Sequence, residues 1–174
     1  MTRLLVLSLG AALAVAGSAA PAQMMPNDLK WGAAPAALPA GAQIAVLSGD
    51  PTKEGMFTIR LKFPAGYSVP AHHHPTPELV TVMEGQLSLG MGDKLDKAKA
   101  AALGVGGYVV APATMNHFAF TDGGATVQIT SHGPFEVVYV DPADDPRGAA
   151  KAAEAAAPAA ADEPAADEPA DGGE

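Results

Sequence analysis

Four side chains in this sequence have the donor chemistry of metal ligands: His72, His74, Glu78 and His117. His72 and His74 stand two apart, and side chains on an extended backbone alternate faces, so their imidazoles point one way while His73 points the other. Glu78 follows Pro75-Thr76-Pro77, a break that bends or interrupts the strand and delivers an anionic oxygen at the start of an apolar run. His117 lies far along the chain, in Ala-Pro-Ala-Thr-Met-Asn-His-Phe-Ala-Phe, which reads as a turn followed by a strand. A closed β cage would bring it opposite the first group.

Three neutral imidazoles and one carboxylate suit Fe(II), Mn(II), Ni(II), Cu(II) or Zn(II). The chain has no cysteine, so thiolate nucleophiles, iron–sulfur clusters and Cys-ligated zinc are excluded. An octahedral ion on four protein ligands keeps two positions for water, substrate or dioxygen, whereas a tetrahedral ion is closed; geometry thus separates a reactive centre from a structural one. A solvated polar loop is the dull account of three consecutive histidines, but it leaves the matching positions of Glu78 and His117 unexplained.

The elements that must carry these residues are short and extended. Segments 43–47, 56–63, 79–83, 86–91, 108–111, 117–120, 126–131 and 135–140 are separated by Gly and Pro, and about eight strands at such spacing predict a sandwich or small barrel. On 56–63, Phe57, Ile59, Leu61 and Phe63 share one face and Arg60 and Lys62 the other, so an apolar interior leaves the cations outside. That strand then offers no positive clamp for a carboxylate. On 117–120, Ala119 shares the face of His117, and Phe118 and Phe120 need cover from an N-terminal arm or a second subunit. The one helical candidate is 93–103, opened by Asp93 and stopped by Gly104. By the same parity Gln128 and Thr130 are expected to line the pocket, with His132 at its rim or structural.

The two histidine-bearing segments resemble the signatures of the cupin superfamily. Gly66, His72, His74, Glu78 and Gly85, separated by five, one, three and six residues, match the first signature at every fixed position. Gly106, Pro112, Thr114, His117 and Thr121 resemble the second, with Thr114 where the family has glycine and Thr121 where it has asparagine. Because that glycine serves a tight turn, Asn116 is expected to take the permissive backbone angle in its place. The resemblance covers roughly residues 43–140. It implies an all-β double-stranded β-helix, or jelly-roll barrel, often a homodimer, with one short helix between the signatures and His72, His74, Glu78 and His117 as ligands of a divalent transition metal. Two functions follow from it as expectations: a metal-dependent enzyme, such as a dioxygenase, isomerase or decarboxylase, acting on a small organic molecule, or a non-catalytic protein that binds or senses a small ligand or metal.

The ends of the chain carry different messages. Residues 1–22 pair an early Arg3 with an apolar run from Leu4 to Ala16 and then Ala20-Pro21-Ala22, which is the grammar of a signal peptide and too short for a membrane span. The expectation is export to the periplasm or beyond. Residues 23–42 read as a Pro-interrupted arm anchored by Trp31, residues 43–141 as the domain, and residues 142–174, rich in Ala, Pro, Asp and Glu, as a disordered tail. Most of the net charge of −9 falls in that tail. The domain is close to neutral and offers neither nucleic acid nor an anionic membrane the basic field it would need.

Overall fold

The computed structural model describes residues 23–148. Eleven strands run β1 (Gly32–Ala33), β2 (Gln43–Ser48), β3 (Gly55–Phe63), β4 (Ser68–His73), β5 (Glu78–Gly85), β6 (Leu87–Met91), β7 (Ala100–Leu103), β8 (Tyr108–Ala111), β9 (His117–Phe120), β10 (Ala125–Gly133) and β11 (Val138–Tyr139). They form two antiparallel sheets, ordered β1-β2-β3-β10-β5-β8 and β11-β4-β9-β6-β7. The core lies between the sheets. The expected all-β double-stranded barrel is the architecture found.

Period-two alternation explains which residues go inside. Phe57, Ile59, Leu61 and Phe63 of β3 are buried, as are Val127 and Ile129 of β10. Arg60 and Lys62 face out, with Arg60 Nε donating to Gln128 Oε1 at 3.2 Å and the Lys62 ammonium 4.6 Å from the centre of the Trp31 ring. The segment before β2 lies along the barrel. Its Gly32 and Ala33 extend the first sheet, and the Tyr139 hydroxyl donates to the Ala37 carbonyl at 2.8 Å. The Tyr67 hydroxyl does the same for Pro39, so Ala37 and Leu38 are held against the core.

Two expectations need correction. A short helix does stand between the signature segments, but it is one 3-10 turn, Lys97–Lys99, capped by Asp96 accepting from the Ala98 N–H, and not a helix over 93–103. Ala100 to Leu103 pair instead with β6, from Gly90↔Ala100 to Leu87↔Leu103. A helix this short is marginal on its own propensity, and the open edge of β6 offers it a full ladder of hydrogen bonds. Nor do Phe118 and Phe120 wait for a partner. Phe118 is 0% exposed, its ring lying across Gly90 of the neighbouring strand, where no side chain intervenes. Phe120 sits under the Lys97 ammonium, 4.7 Å from the ring centre.

Candidate metal centre

His72 belongs to β4, opposite His117 of β9, and the two rings lie 4.4 Å apart. The pairing shifts register between Val69 and His72, where Pro70, lacking an N–H, cannot join the ladder. The freed Pro70 carbonyl accepts from His72 Nδ1 at 2.6 Å. His74 lies just past the end of β4, and its Nδ1 donates to the Glu136 carbonyl at 2.6 Å. His117 Nδ1 donates to the Met115 carbonyl at 2.9 Å. A carbonyl only accepts, so each Nδ1 carries the hydrogen and each Nε2 keeps its lone pair when the ring is neutral.

The ligand atoms of the three imidazoles lie within 4.8 Å of one another. Glu78, first residue of β5, brings its Oε2 to 3.4 Å from His117 Nε2 and 3.7 Å from His74 Nε2. Bonds of about 2.1 Å place the ligands of an ion roughly 3–4 Å apart, so the three imidazoles form a group able to hold one ion, and Glu78 stands at ligand-to-ligand distance from two of them, His74 and His117. His74 Nε2 and His117 Nε2 are buried and have no hydrogen-bond partner among the described residues. All four residues are buried, and buried polar atoms left unmatched are the exception in folded proteins. The donor set fits a divalent transition metal.

Electrostatics point the same way. Burial, reinforced by the neighbouring imidazoles, pushes His72 down to about 3, which keeps it neutral. Burial also holds His74 below its ordinary value. Burial works against a charge on His117, but the adjacent Glu78 carboxylate and the Met115 carbonyl carry its pKa above the usual histidine value. Glu78 is held below the usual carboxylate value despite burial, by His117 first and the other two imidazoles after it. The Glu78 carboxylate thus favours positive charge on the group of imidazoles around it.

Neighbouring groups fix the loops that carry the ligands. Thr76 in the Pro-Thr-Pro break donates to the His132 carbonyl at 2.7 Å, and the Ser131 hydroxyl donates to the Pro77 carbonyl at 2.8 Å; the turn before Glu78 is pinned to β10. Thr114 takes the left-handed angle itself, at φ 60°, correcting the expectation for Asn116, and its N–H donates to the His74 carbonyl at 2.8 Å. A β-branched residue in that region is strained, and here the strain sits between two ligand-bearing segments. Asn116 instead ties His73 to the loop after β6, accepting from His73 Nδ1 at 3.0 Å and donating to Asp93 at 2.7 Å.

A cavity of about 200 Å³ opens beside His72, His74, Glu78 and His117. It is lined by strand residues such as Ile59, Leu61, Val80, Leu89, Val127 and Ile129, and by Pro35, Leu38, Thr52 and Phe135 from irregular segments. Phe135 stacks on His74 with ring centres 4.2 Å apart. Gln128, Thr130 and His132 are not in it. They occupy the outer face of β10, where Thr130 bonds to Thr58 at 3.1 Å and His132 is exposed with Nδ1 donating to the Gly133 carbonyl. The other parity of β10 faces inward because its residues are the apolar ones. Leu38 and Phe135, absent from the sequence-based site, enter from irregular segments whose facing no periodicity encodes.

Residues 22–138 match the family described as Domain of unknown function (DUF4437). No curated protein matches the chain. Among solved structures, the polyketide cyclase RemF from Streptomyces resistomycificus is similar with a TM-score of 0.57 and 17% identity, over 75% of this chain and 92% of that one. An RmlC-like cupin from Shewanella frigidimarina has a TM-score of 0.50 and 15% identity, over 63% and 87% of the two chains. KdgF from Halomonas sp. has a TM-score of 0.50 and 15% identity, over 66% and 96%. These likenesses show the double-stranded β-helix.

Proposed function

This chain belongs to the DUF4437 family of cupin-like domains, and on that premise we propose that it is an exported protein holding a divalent transition metal on His72, His74, Glu78 and His117 and offering it to a small organic molecule. The observation that carries the reading is the commitment of all three Nδ1 hydrogens to backbone carbonyls, which leaves three clustered imidazoles free to coordinate through Nε2, two of them beside the buried Glu78 carboxylate. Carbonyl partners of this kind fix the tautomer and ring angle of metal-ligating histidines.

A bound divalent ion would supply Lewis acidity toward an oxygen of the organic molecule. The chain does the rest. Glu78 offsets part of the ion's charge, Phe135 holds the plane of His74, and the aliphatic wall excludes water from the reacting end. Dioxygenation, isomerisation and decarboxylation are the reaction types open to such a centre. That a similar fold belongs to a protein named as a polyketide cyclase supports catalysis over passive binding. Export rests on the leader-like residues 1–22, which lie outside the described residues, as does most of the acidic tail.

X-ray absorption on protein purified from its own compartment tests this. The expected result is one five- or six-coordinate ion per chain whose water ligands are displaced by added phenols or small acids. A substoichiometric ion, or a four-coordinate one indifferent to such additions, overturns the enzymatic reading.

A further inference from the structure

The cavity wall says more about the ligand than the metal does. Apart from the four proposed metal ligands, Thr52 is, among the described residues, the only side chain lining it that carries a polar group, and the Thr52 hydroxyl already donates to Asp50 Oδ1 at 2.6 Å. The cations nearest in sequence to the wall are turned outward, Arg60 to Gln128 and Lys62 to Trp31. Wall residues Ile59, Leu61, Val127 and Ile129 lie on paired central strands, whose backbone groups are engaged in the β3–β10 and β10–β5 ladders. Away from the acceptor lone pairs that the Thr52 hydroxyl keeps, the metal would therefore be the place where a polar group of a ligand finds a partner.

Resting on the metal reading above, we infer that the cavity takes a molecule with an apolar body about the size of one six-membered ring and a single oxygen-bearing group at one end. Size sets the body: an apolar cavity of about 150 Å³ already accepts benzene, and this one, of about 200 Å³, is shared with the ion. Charge sets the head. A divalent ion with Glu78 keeps one net positive charge, which a single phenolate, alkoxide or carboxylate neutralises. A second polar group on the ring, set against aliphatic wall residues such as Ile59, Val127 and Ile129, would be desolvated with nothing to bond. Sugars, amino acids and dicarboxylates are thereby disfavoured.

The test is calorimetric titration of the full chain loaded with Co(II), under argon, with p-cresol and with hydroquinone. These molecules are near isosteres that differ in a methyl or a hydroxyl at the far end. Stranding that hydroxyl should weaken hydroquinone roughly five- to a hundredfold relative to p-cresol. Equal or tighter binding of hydroquinone overturns the inference. Toluene binding to the metal-free chain, followed by saturation-transfer NMR, reads the wall independently of the ion. Should Co(II) fail to load while toluene still binds, the proposed function falls and the apolar cavity stands. If Co(II) loads and neither p-cresol nor toluene binds, the inference falls and the metal centre stands.

Discussion

Replacing His117 with alanine separates a metal ligand from an ordinary core histidine. His117 is 1% exposed, so His117→Ala leaves a cavity and lowers the stability of the metal-free protein whatever its role. The informative quantity is therefore the difference that metal makes. A ligand at 100 times its Kd stabilises a folded chain by about 2.7 kcal/mol. At about 3–5 °C per kcal/mol for a domain of this size, wild-type protein should gain about 10 °C in Tm on adding Zn(II) or Ni(II) at that level. Loss of even a partner behind a ligand costs 10- to 100-fold in affinity, roughly, so loss of a direct ligand costs at least the upper figure. The same metal concentration then lies near the Kd of His117→Ala and contributes only about 0.4 kcal/mol, a shift of a degree or two. Differential scanning calorimetry with and without metal reads this directly, and His132→Ala, on the exposed face of β10, serves as the control that keeps the full shift. A His117→Ala protein that retains both the 10 °C gain and one ion per chain refutes the assignment.

Acidification gives a second prediction, with its sign set by His72, whose folded pKa of about 3 lies below the 6.5 of an unfolded chain. Between those values the unfolded state binds more protons, so stability of the metal-free protein falls as pH drops. His74 and Glu78, also lowered, act in the same direction, while His117, raised, opposes them by adding stability below 6.5 that is lost as pH rises through its folded value. From pH 6.5 to 4 the His72 contribution alone is roughly 3 kcal/mol at about 1.4 kcal/mol per unit, and a urea midpoint that stays level or rises over that interval contradicts the scheme. Gly90→Ala drives a methyl into the Phe118 ring beside His117, and should cost about 1–3 kcal/mol in urea denaturation while weakening metal binding; unchanged stability would place Phe118 elsewhere. Thr114→Gly relieves about 1–2 kcal/mol of left-handed strain against about 0.5–1 kcal/mol of added chain entropy. It should leave stability level or slightly higher, and a loss beyond 1 kcal/mol would show that the hydroxyl, which donates to the Ala113 carbonyl, matters more than the backbone angle.

Periodicity and spacing made much of this architecture legible. Strands β8 and β9 fall on the residues expected, and the imidazoles of His72, His74 and His117 come together because alternation turns the first two one way and β9 pairs with β4, while Glu78 approaches two of them from the start of β5. Alternation names two faces without saying which is inside, and on β10 the polar face is the outer one. The hydrophobic effect decides that, and Val127 and Ile129 outweigh any local preference for placing Gln128 or Thr130 near a metal. Ala100 to Leu103 became strand because the edge of the preceding strand, β6, offers them a ladder of hydrogen bonds, a tertiary gain that helix propensity does not register. Leu38 reached the cavity because hydroxyls of Tyr67 and Tyr139 hold the carbonyls on either side of it.

The least legible part of the centre is also the part that makes it fit for metal. Each imidazole is oriented by a main-chain carbonyl, of Pro70, Glu136 or Met115, and a carbonyl is the same on every residue. Composition at those three positions therefore carries almost no information about the tautomers they select. What fixes the carbonyls is backbone path: the bulge at Pro70, the loop holding Thr114 at positive φ, and the turn that leads Glu136 past His74. The four candidate ligand residues can thus be read as letters, while the orientation of the imidazoles is a property of the barrel. Transplanting the four residues onto another pair of antiparallel strands should reproduce the spacing and bind metal more weakly, because the three imidazoles would lose the acceptors that hold their Nε2 lone pairs toward one point.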